Sequence, residues 1–412
     1  MVPPDSTEAE RLVAVRAALP ALAAGIYLNA GTSGPLPAET AAVMAQLAEH
    51  ELTVGRGQID GFLEFLERLD EARAAVAAVL TADVDDIAIT HSTTDGMNIG
   101  IGAIDWAPGD KAVTTRMEHP GGTGALYVLR DRRSIDIDFL DIGDGGDHDR
   151  VLAAFDAAID ARTRAVVVSH VLWSTGAVMP VAQIAEIAHA RGALVVVDGA
   201  QSAGTMPIDL AATGADVYAI PGQKWLLGPE GTGAVAVPRH VRDRLKPSAA
   251  GYFSFERVDS AGDAAFWASA RKFEGSGFHR PSVVGLARSI GWLSMFVGLD
   301  WVYGRGRRLA RAMADRLAAI PGVEVVTPRE HMDTLVSFRI AGWTPDEARD
   351  ELGARVFAIT RTLPLIGALR ISVGFFNSDD ELERFATAVE LLAAHTPDTI
   401  PARRTLAVLG ER

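Results

Sequence analysis

Short apolar, β-branched runs alternate with alanine-rich helical stretches through the middle of this 412-residue chain, and no other feature narrows its fold as much. The runs are Asp86-Ile-Ala-Ile-Thr90, Lys111-Ala-Val-Thr-Thr115, Ala165-Val-Val-Val-Ser169, Ala193-Leu-Val-Val-Val-Asp198 and Val217-Tyr-Ala-Ile220. Between two of them, Val181 to Arg191 carries apolar residues at helical spacing. A strand that is apolar at successive positions must be covered on both faces, and helical connections lay such strands parallel. This predicts an α/β large domain over residues 30–290, a mostly parallel sheet between helices. A helical stretch from Pro281 to Ala319 follows. Strands are then expected at Val323–Thr327, Thr334–Arg339 and Ala368–Val373, with helices at Thr344–Leu352 and Ser378–Ala394. Together they make a smaller α+β C-terminal domain over 291–412, with residues 1–29 a segment packing against it.

Composition removes whole classes of chemistry. The chain has no cysteine, so a disulfide framework, a zinc ribbon, an iron–sulfur cluster, a thiolate nucleophile and a persulfide carrier are all excluded for this polypeptide. Its net charge of −14 repels phosphate backbones and anionic membranes, so neither nucleic acid nor membrane is expected as a partner. The N-terminus lacks a basic-then-apolar signal pattern, and no apolar run approaches the roughly 20 residues of a membrane span. The reading is a cytoplasmic protein. Ten histidines show no paired-ligand spacing, so no metal is expected.

The most informative stretch runs from Val195-Val-Val-Asp-Gly-Ala-Gln201 to Pro221-Gly-Gln-Lys-Trp225. An Asp at the carboxyl end of an apolar strand stands where open α/β sheets bind ligands. Lys224 follows another strand and sits among glycines, where burial eases loss of its proton. Asp plus Lys at neighbouring strand ends suits a pyridine cofactor held as a Schiff base, the carboxylate keeping the ring nitrogen protonated. A capping Asp and a solvated turn Lys fit the same residues.

Other segments add to the pair. Thr90-His-Ser-Thr-Thr-Asp-Gly-Met-Asn98 is a hydroxyl-rich turn opening into a helix, able to hold a phosphate or simply to cap. Arg116-Met-Glu-His-Pro-Gly-Gly122, Ser169-His-Val-Leu-Trp-Ser-Thr-Gly176, Glu274-Gly-Ser-Gly277, Leu369-Arg-Ile-Ser-Val-Gly374 and Leu28-Asn-Ala-Gly-Thr-Ser-Gly34 complete the set.

In this order the motifs resemble the class V aminotransferase branch of fold-type I pyridoxal-phosphate enzymes, which includes cysteine desulfurases, cystine C–S lyases, kynureninase and isopenicillin N epimerase-like proteins. The resemblance spans about Tyr27 to Leu392. It implies that Lys224 binds pyridoxal 5′-phosphate, that Asp198 pairs with the ring nitrogen, that Gln201 bonds the phenolic oxygen and that His119 stacks on the ring. It implies phosphate contacts from Thr94, Asp95 and Gly96, chiefly through backbone N–H groups. Ser174 stands where many relatives have Asn. Ser276 would reach the neighbouring subunit's phosphate, which implies a homodimer with shared sites. Arg370 would clamp the substrate α-carboxylate, Arg361 would read a distal acid or pair with a surface one, and Asn29 and Thr32 would face the substrate. The chain departs from the pattern at Pro221-Gly222-Gln223, where relatives have Ser/Thr-X-His. One phosphate donor is thereby lost, and Gln223 offers an amide in place of a titratable ring.

Cα–H cleavage on such a cofactor leads to β-elimination, epimerisation or transamination, and decarboxylation competes. Without cysteine, a desulfurase that carries sulfur as a persulfide is excluded. The expectation is a β-eliminating C–S lyase on a cysteine S-conjugate with Lys224 as base, assisted by His119 and Asp198. An isopenicillin N epimerase-like reaction is the alternative, followed by a transaminating or decarboxylating variant and by a non-enzymatic protein with a degenerate pocket. A P-loop or dinucleotide fold lacks its glycine motif here.

Overall fold

The structure, a computed structural model, describes residues 6–403; positions 1–5 and 404–412, at the outer limits of the first and last expected units, lie outside the described residues. Seven strands form the central sheet: β1 (Ile87–Thr90), β2 (Lys111–Thr115), β3 (Asp136–Leu140), β4 (Thr163–Ser169), β5 (Leu194–Asp198), β6 (Val217–Pro221) and β7 (Gly233–Ala236), in the order β1-β7-β6-β5-β4-β2-β3. The five from β3 to β6 run parallel, and β7 is antiparallel to both neighbours. Alternation along each strand divides the side chains between two cores. Val166, Val168, Val195 and Val197 join one core, and Ala165, Val167, Leu194 and Val196 the other. Both faces are buried, so the strands read as unbroken apolar runs, and each buried Val contributes roughly 1.5–3 kcal/mol.

Two strands of this sheet were not expected from sequence. β3 reads Asp-Ile-Asp-Phe-Leu and lies half-exposed at the edge; β7 reads Gly-Ala-Val-Ala, too small and too short to stand out. The order places β2 and β4 side by side although β3 lies between them in sequence. This is the switch point at which an open parallel sheet forms a crevice outside its carboxyl ends.

Two helices start at that edge. Helix α1 (Thr93–Gly102) is capped by Ser92, whose side chain accepts the Asp95 N–H at 3.0 Å. Helix α2 (Pro120–Arg133) has His119 as N-cap and Pro120 at its first position, where the missing N–H costs nothing.

The smaller sheet contains β8 (Val323–Val325), β9 (Leu335–Ile340), β10 (Arg361–Leu363) and β11 (Ala368–Ser372), ordered β8-β9-β11-β10 and antiparallel throughout. Ile26–Tyr27 pairs in parallel with Ala358–Ile359, and Asn29 bridges to Ser372, so the N-terminal segment crosses this unit on its way to the large sheet. The helical stretch expected over Pro281–Ala319 is interrupted. Helix α3 (Arg280–Gly291) runs into a π-turn at Trp292–Val297, the chain breaks at Gly298 with φ +93°, and α4 (Leu299–Ala318) leaves at 84°. Val302 and Tyr303 of α4 belong to the core of the large sheet, whereas Leu309, Met313 and Leu317 belong to that of the small one. Among the described residues no single helix is long and apolar enough to cross a membrane.

Candidate active site

A cleft of about 190 Å³ opens at the switch point, between the carboxyl ends of β4 to β6, the N-termini of α1 and α2, and the β10–β11 pair of the small sheet. Of the residues singled out from sequence, Thr32, Thr94, His119, Asp198, Gln201, Gln223, Lys224, Arg361 and Arg370 line it.

Asp198 ends β5. Its Oδ1 accepts the Ala200 N–H at 2.9 Å, and its Oδ2 faces Gly122, where an added Cβ would lie 3.0 Å away. Glycine at 122 therefore lets the first turn of α2 approach the carboxylate. Burial raises the Asp198 pKa, with Lys224 opposing. Lys224 follows β6 in a turn of close backbone approaches: Gly34 N–H donates to the Gln223 carbonyl at 2.8 Å, and a Cβ on Gly34 would meet the Lys224 carbonyl at 2.2 Å. Burial pushes the Lys224 ammonium down to about 8; Arg370 and Arg361 push the same way, and Asp198 holds it up. A neutral amine is thus accessible near neutral pH.

The Gln201 carboxamide is fixed at both ends. Trp225 Nε1 donates to its Oε1 and its Nε2 donates to the Gly31 carbonyl, each at 2.9 Å. The amide orientation follows from these bonds, and one N–H remains for a ligand. His119 Nδ1 accepts the Gly121 N–H at 3.0 Å, which places the ring proton on Nε2. Its ring meets Trp173 edge-on at 4.9 Å. Burial, then the neighbouring cations, depress the His119 pKa to about 4.

The open backbone donors lie one step earlier in α1 than the residues expected to hold a phosphate. The Asp95 N–H is taken by Ser92 Oγ and the Gly96 N–H by the Ser92 carbonyl, so neither is offered to the cleft. The first two N–H groups of α1, on Thr93 and Thr94, have no partner among the described residues and border the cleft. The Asp95 carboxylate turns to His91, bonding its N–H at 3.1 Å and its Nδ1 at 3.2 Å. Thr93 could have been found from the rule that N1 and N2 are the open positions behind a Ser N-cap.

Arg370, on β11, is buried with no carboxylate partner. Its single hydrogen bond goes to the Trp173 carbonyl at 2.7 Å, and its Nε is unpaired. Burial foremost, with Arg361 adding, lowers its pKa to about 9. Arg361 stands directly opposite in the antiparallel register, an arrangement of like charges that calls for an anion between them. No acid lies within salt-bridge distance of Arg361 among the described residues. Thr32 is held by Asn29, whose Oδ1 accepts its hydroxyl at 2.8 Å; Asn29 itself does not line the cleft. Ser174 is fully buried behind the cleft, its Oγ unpaired and its carbonyl bonded to Ser337 Oγ. Ser276 is exposed and lies apart from the cleft. Sequence reasoning gave no role to Glu118, buried just behind His119, nor to Ser169 and Trp173.

The donor set fits a phosphorylated pyridine. Open N–H groups at a helix N-terminus suit a dianion, and a buried Asp beside a depressed Lys suits a ring nitrogen and a carbonyl. Thr93 Oγ1, Gln223 Oε1, Trp173 Nε1 and Arg370 Nε are buried at the cleft with no partner among the described residues, an unusual concentration of unmet polar groups that a ligand would satisfy.

Comparison with known proteins agrees. Residues 26–385 match the family described as Aminotransferase class-V. A probable cysteine desulfurase of Methanothermobacter thermautotrophicus is 29% identical over 92% of this chain and 97% of its own length. The isopenicillin N epimerase of Amycolatopsis lactamdurans is 30% identical over 89% and 94%. The cystine C–S lyase C-DES, solved with its product cysteine persulfide, shares the fold with a TM-score of 0.83 at 24% identity, covering 90% of this chain and 99% of the other. A mutant of the same lyase was solved with glycine covalently linked to its PLP cofactor, with a TM-score of 0.84 at 24% identity over 91% and 98%.

Proposed function

This chain belongs to the class V aminotransferase family and is an enzyme that uses pyridoxal phosphate, and from that premise we propose that it is a β-eliminating C–S lyase acting on a cysteine S-conjugate. When bound, the cofactor supplies a carbonyl that joins amines and a protonated ring that draws electrons from the substrate Cα. Thr93 and Thr94 N–H groups with Gln223 would hold its phosphate, Asp198 its ring nitrogen proton, Gln201 its phenolic oxygen and Lys224 its carbonyl carbon. The copy of Ser276 on a second subunit would complete the phosphate site. His119 would cover the ring.

Arg370 binds the substrate α-carboxylate through its free guanidinium edge. Arg361 takes a second carboxylate, as a disulfide- or thioether-linked diacid would present. Lys224 then removes the Cα proton as a neutral amine. The Cβ–S bond breaks, sulfur leaves with the electron pair, and the released product hydrolyses to pyruvate and ammonia.

The observation that carries this reading is the buried Lys224 at the cleft, its ammonium pushed down to about 8 while the other ring-side groups are held back from taking up a proton near neutrality. Asp198 is engaged with the Ala200 N–H, and His119 uses Nδ1 as an acceptor and resists protonation down to about pH 4. Epimerisation through two bases needs a second carrier. With no thiol in the chain, sulfur must leave as a small molecule. The relative from A. lactamdurans supports epimerisation as a second reading. Incubation of the purified holoenzyme with cystine and S-alkyl cysteines is expected to release pyruvate and ammonia in equal amounts. Cα deuterium exchange with inversion and no pyruvate would replace elimination by epimerisation.

A further inference from the structure

Glu118 is a buried carboxyl with no place in the chemistry above. It sits on the turn between β2 and α2, one residue before His119. Its Oε1 accepts the Thr115 hydroxyl at 2.8 Å, and its Oε2 accepts the Ser169 N–H at 2.9 Å and the Ser169 hydroxyl at 2.5 Å. The side chain therefore ties the His119 turn to the end of β4. Ser169 is paired in register with Asp198 on β5, and the next residue, His170, donates its N–H to the Asp198 carbonyl at 2.9 Å. From the other side, Gly122 of α2 rests on Asp198 Oδ2. Glu118 and Asp198 thus occupy one buried pocket of backbone, held by the same two elements.

Two carboxylates in one low-dielectric site repel, and the repulsion makes the ionised form of Glu118 harder to reach. The charged and titratable groups that face it are few. Asp198 on β5 is the one charge bearing on Glu118; Thr115 and Ser169 are neutral donors; His119 and His170 are both held neutral by burial; Lys224 acts through Asp198. The three donors favour the Glu118 anion, but burial outweighs them and Asp198 adds to it, bringing the Glu118 pKa up to about 7.

We propose that Glu118 is a positioning residue that fixes the height of His119 and shares one charge with Asp198, so that its protonation sets how firmly Asp198 holds the cofactor ring nitrogen in its protonated form. This rests on the pyridoxal-phosphate reading of the cleft. Glu118 deprotonated adds negative potential at Asp198 and strengthens the pyridinium; Glu118 protonated removes it.

The test is a pH titration of the visible spectrum of holoenzyme, wild type against Glu118→Gln, from pH 5.5 to 9. Gln keeps an acceptor for Ser169 and can donate to Thr115. The wild type is expected to show a transition near neutrality that Glu118→Gln lacks, and kcat of the variant to fall about tenfold above that transition and to match the wild type below it, a shift of roughly one unit in the ring-nitrogen titration. Ser169→Ala removes one donor to the anion and is expected to move the transition to higher pH. Superimposable spectra and equal kcat at every pH for wild type and Glu118→Gln would overturn the proposal, as would a transition unmoved in Ser169→Ala. A wild-type protein that takes up no pyridoxal phosphate would overturn the cofactor reading instead, and shows itself as absent visible absorbance before any variant is compared.

Discussion

At the scale of single residues, the site works by burying groups that would rather be in water. His170 is one such group. Its Nδ1 bonds the Tyr218 hydroxyl at 2.7 Å, which in turn meets Ser202 Oγ at 2.6 Å, and burial depresses its pKa from 6.5 to about 4. His119 is shifted to a similar value. The unfolded chain binds these protons near pH 6.5 and the folded chain only near 4, so protons favour unfolding across that window. The stability these two histidines contribute is complete above 6.5 and is lost as pH falls toward 4, while the raised carboxyl of Glu118 acts in the opposite sense below about 7. Thermal melts at stepped pH are expected to show Tm dropping from 6.5 downward, and less steeply in a His170→Gln variant. A variant with the parent's slope would place the acid sensitivity elsewhere.

At the scale of elements, the N-terminus of α1 is a more exact ligand than its sequence. The motif from Thr90 to Asn98 could be read as a phosphate turn, but which N–H groups are open depends on where the helix starts, and that is set by the Ser92 cap. Thr93→Pro tests this. Proline is tolerated at N1, the preceding Ser92 is already extended at φ −171° and ψ 169°, and only the N–H and hydroxyl are removed. Loss of one charge-assisted bond, about 1.5–3 kcal/mol, is expected to weaken cofactor affinity by roughly 10- to 100-fold, with the far-UV spectrum unchanged. Fluorescence titration of apoprotein with pyridoxal phosphate measures it; an unchanged Kd would remove Thr93 from the phosphate site. The same distinction explains what was legible. Asp198 ends a strand, Lys224 lies in the turn after one and Arg370 stands inside one, places that apolar runs mark in the sequence, while the role of Arg370 was implied only by the family resemblance. Thr93 and Glu118 depend on a cap and on a packed turn, Ser174 on the depth of a loop, and the break at Gly298 on a π-turn that helical periodicity does not register.

At the scale of the whole molecule, the surface carries apolar groups that one chain leaves uncovered. Leu52, Ile59, Leu63 and Met295 are 79%, 67%, 51% and 72% exposed, next to a groove lined by Val43, Leu47, Phe65 and Trp292. Ser276, exposed and outside the cleft of its own chain, is consistent with an assembly of two copies. Sedimentation is expected to give twice the 43.6 kDa of the chain, and Met295→Glu with Leu63→Glu is expected to yield monomers that bind the cofactor less tightly. Wild-type monomers at micromolar concentration would rule out shared sites. The strands of both sheets were largely legible as blocks of alternating pattern, because patterning reports burial; the way α4 enters both cores was not, because it depends on where a bend falls.

Helix α4, with the bonds from Arg370 to the Trp173 carbonyl and from Ser337 to the Ser174 carbonyl, fastens the small sheet to the large one. The socket proposed for the substrate carboxylate is thus placed by contacts made on folding, and ordering entropy is lost then. With the socket placed in advance, differences among substrates are expected to lie in how long each stays rather than in how fast each enters.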